Sequence, residues 1–206
     1  MSSKLILSFL RHLPETHAFE TLKLAQPFLK QLDGFGLDSS EIGHPPEKFA
    51  RVFARCRELG FKITVHAGEE GPPGYVSQAL DLMNVDRIDH GNHSLDDAAL
   101  VQRLTEEGKT LTVCPLSNLK LRVVQTMDQH PILAMLHQRL RVTVNSDDPA
   151  YFGGYINDNY RALIEHLPVT RQHLYELARN AFEGAWISEE EKAGHLQEVE
   201  RVFALE

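Results

Sequence analysis

The stretch Phe61-Lys62-Ile63-Thr64-Val65, running straight into His66-Ala67-Gly68-Glu69, decides how this chain is read. A short β-branched run reads as a strand, and the spacing beyond the turn predicts an amphipathic helix around Val76 to Met83. The same unit recurs on both sides. Upstream, Leu5 to Leu10 precedes a helix expected over Thr16 to Gln31, and Phe35 to Asp38 precedes one over Glu47 to Leu59. Downstream, Arg87-Ile88-Asp89-His90 precedes a helix over Asp96 to Glu107, and Thr110 to Cys114 one near Pro131 to Gln138. Arg141 to Asn145 is the last run, followed only by helical patterns. Six strand–helix units at this spacing predict an α/β fold with a parallel sheet, either open and doubly wound or closed as a barrel.

The polar residues decide between these two. No glycine-rich phosphate fingerprint opens the first unit, which weakens a dinucleotide-binding sheet. Nearly every run ends, at its carboxyl edge, in His, Asp, Glu, Ser or Asn. Chemistry gathered from many strand ends is the habit of (β/α)8 barrels. The expectation is therefore a TIM-barrel type of fold, here incomplete, since six units are two short of eight. No repeat, low-complexity run or Gly/Ser linker marks a boundary, so residues 1–206 are expected to form a single domain.

Composition narrows the function classes. A net charge of −8 argues against a nucleic-acid surface, which needs clustered Lys and Arg. The apolar runs, Leu5 to Leu10 among them, are far too short to span a bilayer. Met1-Ser2-Ser3-Lys4 does not open a secretory signal, because Arg11 and His12 cut the apolar run short. Only two cysteines occur, Cys56 and Cys114, with no disulfide framework, which favours the cytosol. The 11 histidines make metal chemistry worth testing.

Four clusters carry the chemistry. In His66-Ala67-Gly68-Glu69 the glycine allows a sharp turn, so that both polar side chains can face one pocket. The imidazole can then ligate zinc while the carboxyl stays available for proton transfer. In Arg87-Ile88-Asp89-His90-Gly91, His90 suits a supporting or base role, or equally a buried histidine satisfied by a backbone carbonyl. In Cys114-Pro115-Leu116-Ser117-Asn118 the thiol reads as a small buried hydrophobe, since no His-Asn pair is arranged to activate it. In Asn145-Ser146-Asp147-Asp148-Pro149, two adjacent carboxylates call for a cation or a proton. The plain alternative there is a capping turn before a helix.

In this order the four clusters resemble the zinc adenosine/adenine deaminases of the amidohydrolase superfamily, from about Ser3 to the C-terminus. The tail segment Leu177-Ala178-Arg179-Asn180-Ala181-Phe182 adds to the likeness. The resemblance implies a (β/α)8 barrel whose strands three to eight are present. It implies zinc as cofactor, held by His66 and Asp147, with a small-molecule purine as substrate. Glu69 falls where the family has its proton donor to ring nitrogen N1. His90 falls beside the water that attacks C6, and Asp148 at the contact to N7.

Two departures qualify the match. The family's first strand carries a His-x-His pair completing the zinc site, and none occurs in this sequence. An N-terminal truncation is therefore expected, with little activity in the chain as it stands. Where adenosine deaminases typically read DLAGDE, this chain has Gly36-Leu37-Asp38-Ser39-Ser40-Glu41-Ile42-Gly43. Together with RIDHG in place of RIGHG, this resembles the adenine deaminase branch. The expected reaction is deamination of adenine to hypoxanthine and ammonia by a zinc-activated water. The alternatives are adenosine deamination, or an inactive remnant that only binds.

Overall fold

The computed structural model describes residues 3–204. Their contacts divide the chain into two compact units, Met1–Leu100 and Val101–Glu206. In the first unit, β1 (Ile6–Leu10), β2 (Gly34–Asp38), β3 (Lys62–Ala67) and β4 (Arg87–His90) pair in sequence order, every pair parallel. The crossovers are α1 (Glu15–Ala25), α2 (Ala50–Glu58) and α3 (Pro73–Met83).

Alternation along the strands separates two faces. Phe9, Phe35, Leu37, Ile63, Val65 and Ile88 are buried on the face that meets the helices. There they join Phe49, Val52, Phe53, Val76 and Ala79, all fully buried. Phe9 stacks on Phe35 at 5.6 Å and meets the edge of Phe53 at 5.5 Å. Burying one such ring contributes about 1.5–3 kcal/mol, so this face supplies the stability. The opposite face carries small and polar residues. Register places Ser8, Gly36, Thr64 and Arg87 opposite one another across the four strands. Beyond that row, towards the carboxyl ends, lie Asp38, His66 and Asp89.

Helix boundaries follow local chemistry. The helix expected over Thr16 to Gln31 is α only to Ala25 and continues as a 3-10 turn over Gln26–Gln31. Pro27 has no N–H and its ring crowds the preceding turn, which explains the change. The same happens before α2, where Pro46–Phe49 forms a 3-10 turn. After β4, Asn92–Asp96 is likewise 3-10, and α4 (Ala98–Glu106) starts where the Asp97 carboxylate accepts the N–H groups of Ala99 and Leu100.

The second unit contains β5 (Thr110–Val113) and β6 (Arg141–Val144), also parallel, joined through α5 (Pro115–Lys120) and α6 (Ile132–His137). The short α7 (Pro149–Phe152) is followed by α8 (Ile156–His166), α9 (Arg171–Glu183) and α10 (Glu189–Ala204). Leu111, Val113, Val142 and Val144 form its core with Ile132, Met135, Leu163 and Leu177. The Asn180 amide donates to the Val142 carbonyl at 3.0 Å and ties α9 to β6. The chain is thus an α/β protein whose six strands all run parallel to their partners, as expected. Among the described residues no helix is long and apolar enough to cross a membrane.

Candidate active site

Polar groups stand at the carboxyl ends of the strands in each unit, and several of these positions have strained backbone. Ser39 after β2, His90 ending β4 and Asp147 after β6 all have positive φ, at 81°, 66° and 57°. Non-glycine residues seldom adopt this conformation, and they do so where the surroundings over-determine it.

Within the first unit, the structure brings together three of the residues singled out by sequence. His66 Nδ1 lies 3.1 Å from His90 Nε2, and Glu69 Oε1 lies 3.3 Å from His90 Nδ1. The Glu69 approach lacks hydrogen-bond alignment, so His90 Nδ1 is a buried ring nitrogen that makes no hydrogen bond. His90 is 2% exposed. Burial first, and then the neighbouring His66, push its pKa well below the usual histidine range, with Asp89 opposing. The ring is held neutral, the form that can accept a proton. On the far side of His66, Nε2 is 3.5 Å from Asp38 Oδ1, a carboxylate that β2 delivers to the same edge.

The turn carrying Glu69 is built from beneath. Gly68 has φ 72°, and a Cβ there would come within 2.8 Å of Val76. The Glu41 carboxylate, 1% exposed, accepts the backbone N–H groups of Gly68, Glu69 and Gly71, each at 3.0 Å. The Gly68 carbonyl accepts the His93 N–H at 2.8 Å, which joins the turns after β3 and β4. Arg11, fully buried just beyond β1, donates to the carbonyls of His66 (2.6 Å) and His44 (2.9 Å). Burial lowers the pKa of its guanidinium, and Glu41 is the foremost charge opposing that.

In the second unit, Asp147 and Asp148 follow β6, both exposed. Asp148 is the N-cap of α7 and accepts the Tyr151 N–H at 3.2 Å, so the capping alternative holds for it. Cys114 is buried, as expected of a small apolar group.

Arg11, Asp38 and Glu41 are the site-forming residues that sequence reasoning passed over as such. Asp38 and Glu41 stood within the stretch quoted as a departure, and Arg11 at a strand end. Only their position at strand ends gave any signal.

His66, Glu69 and His90 each offer a ligand atom within 4.8 Å of the others. Imidazole and carboxylate are donors that zinc accepts. A metal-binding histidine usually has its other ring nitrogen held by a neighbour, and His90 stands at His66 Nδ1. The donor set and the unbonded His90 nitrogen fit such an ion.

His and acid groups at the carboxyl ends of parallel strands in an α/β scaffold are the arrangement of an enzyme site. The profile of the adenosine deaminase family matches residues 1–202, and the chain belongs to that family. It is 58% identical over 204 residues to an adenine deaminase of Marinomonas sp. (strain MWYL1), covering 99% of this chain and 61% of that protein. Its fold matches the crystal structure of adenine deaminase from Arthrobacter aurescens with a TM-score of 0.96 and 44% identity, covering 98% of this chain and 62% of the other. An amidohydrolase from Burkhoderia ambifaria with bound zinc matches at a TM-score of 0.89 and 27% identity, covering 100% and 60%. The chain therefore spans about three fifths of the length of these relatives.

Proposed function

We propose that the whole protein is a zinc-dependent adenine aminohydrolase of purine salvage, which converts adenine and water to hypoxanthine and ammonia. The six strand–helix units are taken as the third to eighth of a (β/α)8 barrel, and His66 and Asp147 as zinc ligands. The observation that carries this reading is the cluster of His66, Glu69 and His90, within 3.1–3.3 Å of one another through His90, with His90 buried. Bound zinc supplies Lewis acidity that brings the pKa of water to about 7.

The side chains do the rest. Glu69, as the neutral acid, protonates N1 of the purine and makes C6 electrophilic. His90 orients the attacking water and takes its proton. Asp148 holds the imidazole edge of the ring at N7. Hydroxide adds at C6, and the amino group leaves as ammonia after gaining a proton. The names of the Marinomonas and Arthrobacter relatives support adenine over adenosine, as does Ser39-Ser40-Glu41 at the edge of β2.

The test is kcat/KM for adenine and for adenosine in the full-length protein, with zinc measured per chain. Adenine is expected to be preferred, with one zinc bound; preference for the nucleoside would overturn the substrate assignment.

A further inference from the structure

Glu41 is among the most completely buried charged groups in the first unit. Its carboxylate accepts three backbone N–H groups of one turn. Oε2 takes the N–H of Gly68 and of Gly71, and Oε1 takes the N–H of Glu69 itself. The link is reciprocal, because the Glu41 N–H is in turn accepted by Glu70 Oε2 at 3.2 Å. Residues 68–71 leave β3 through a left-handed glycine, so no strand or helix ladder satisfies these N–H groups, and buried donors must find acceptors elsewhere. A single carboxylate does this for three of them. Arg11 lies within electrostatic reach of that carboxylate and holds the His66 carbonyl, at the other end of the same turn.

We infer that Glu41 is a positioning residue for the reaction: by gripping the backbone of Gly68, Glu69 and Gly71, it sets where the Glu69 carboxyl stands against the ring nitrogen. This rests on the reading of Glu69 as proton donor. Only an ionised carboxylate accepts at both oxygens without a competing donor. In Glu41→Gln the amide oxygen can serve the two N–H groups now on Oε2, which leaves NH2 facing the Glu69 N–H. The mismatch then falls on the residue that delivers the proton. Small displacements of a reacting group are costly, since a shift of about 1 Å can lower the rate on the order of 100-fold.

The experiment uses the full-length protein. Glu41→Gln is expected to lower kcat for adenine about 10- to 100-fold while KM moves less than about threefold and zinc content stays unchanged. Hydrogen exchange of the peptide covering residues 66–71 should quicken. The double variant Glu41→Gln/Glu69→Gln should be no slower than Glu69→Gln alone within about twofold, because both changes act on one proton transfer. If Glu41→Gln does not fold, Glu41→Asp replaces it: the charge is kept, the turn is drawn in, and kcat should still fall with KM little changed. Should Glu69→Gln be inactive while the folded Glu41 variant keeps its full kcat, this inference alone is overturned. Full activity of Glu69→Gln would remove the proton-donor reading and the inference together.

Discussion

His90 Nε2 stands 3.1 Å from His66 Nδ1, on adjacent strands and 24 residues apart in sequence. The rings meet edge to face, with centroids 4.5 Å apart and planes at 71°. One nitrogen of each ring is committed to the other, so the two tautomers are set jointly. The other edge of His66 turns to Asp38 and that of His90 to Glu69. A chain of four groups, from acid to imidazole to imidazole to acid, thus crosses three strand ends.

Replacing Glu69 by Gln in the full-length protein should separate proton transfer from metal binding. The amide keeps the shape of the side chain and its 3.3 Å approach to His90 but has no proton of suitable acidity to give. Turnover is expected to fall on the order of 10²–10⁴-fold with zinc retained. Metal analysis beside a rate assay reads both halves, and loss of zinc with the rate would make Glu69 a ligand instead.

Arg11→Met should destabilise the fold more than a typical surface change. The side chain fits the same volume, but the carbonyls of His44 and His66 lose their donors. Leaving a buried polar group without its hydrogen-bond partner costs about 1–3 kcal/mol. Urea unfolding should show a lower midpoint at unchanged m-value; a loss below about 1 kcal/mol would contradict the bracing role.

How far the residues themselves announce this arrangement depends on the range of the interaction. Strand β4 was legible to the residue, Arg87 to His90, because β-branching and alternation are local properties. The turn at Gly68, which brings His66 and Glu69 to one edge, was legible for the same reason. The α-helix expected to reach Gln31 stops at Ala25, a local effect of Pro27 that periodicity alone overran. Arg11 and Glu41 were not legible as parts of the site. Their partners are backbone groups 27 to 55 residues away, which have no side-chain signature in a sequence.

Acid should weaken the second unit through His130. Burial lowers the pKa of this ring to about 4. Its neutral form is fixed at both nitrogens: Nδ1 accepts the Ile132 N–H at 3.3 Å, and Nε2 donates to Asn118 Oδ1 at 3.2 Å. The folded pKa is below the ordinary value of 6.5, so between pH 6.5 and about 4 the unfolded chain binds the extra proton. Stability is complete above that window and declines as pH falls through it, by roughly 3 kcal/mol in total. Denaturation curves at pH 7 and pH 4.5 should differ more in the parent than in His130→Phe; equal differences would count against the assignment.

Gly68→Ala and Gly74→Ala make a matched pair. Gly68 has φ 72°, with Val76 Cγ2 2.8 Å from the added methyl, whereas nothing lies within 4 Å of a Cβ at Gly74. The first change is expected to cost about 1–2 kcal/mol from backbone conformation alone and to displace Glu69, lowering turnover as well. The second should be neutral, or stabilise by about 0.5–1 kcal/mol in the first turn of α3. Thermal melts and initial rates on both variants check this, and equal behaviour would show that the turn after β3 is not tightly determined.

The row formed by Ser8, Gly36, Thr64 and Arg87 also limits how this lineage can change length. One residue inserted within any of these strands reverses every side chain beyond it, sending His66 or Asp38 towards the helices and an apolar neighbour into the reaction space. Gains and losses of residues are therefore expected in the connections that enter the strands at their amino ends. There the chain can lengthen or shorten without moving His66, Glu69 or His90. Comparison across species should find gaps at one rim of the sheet and, at the other, only exchanges of one side chain for another.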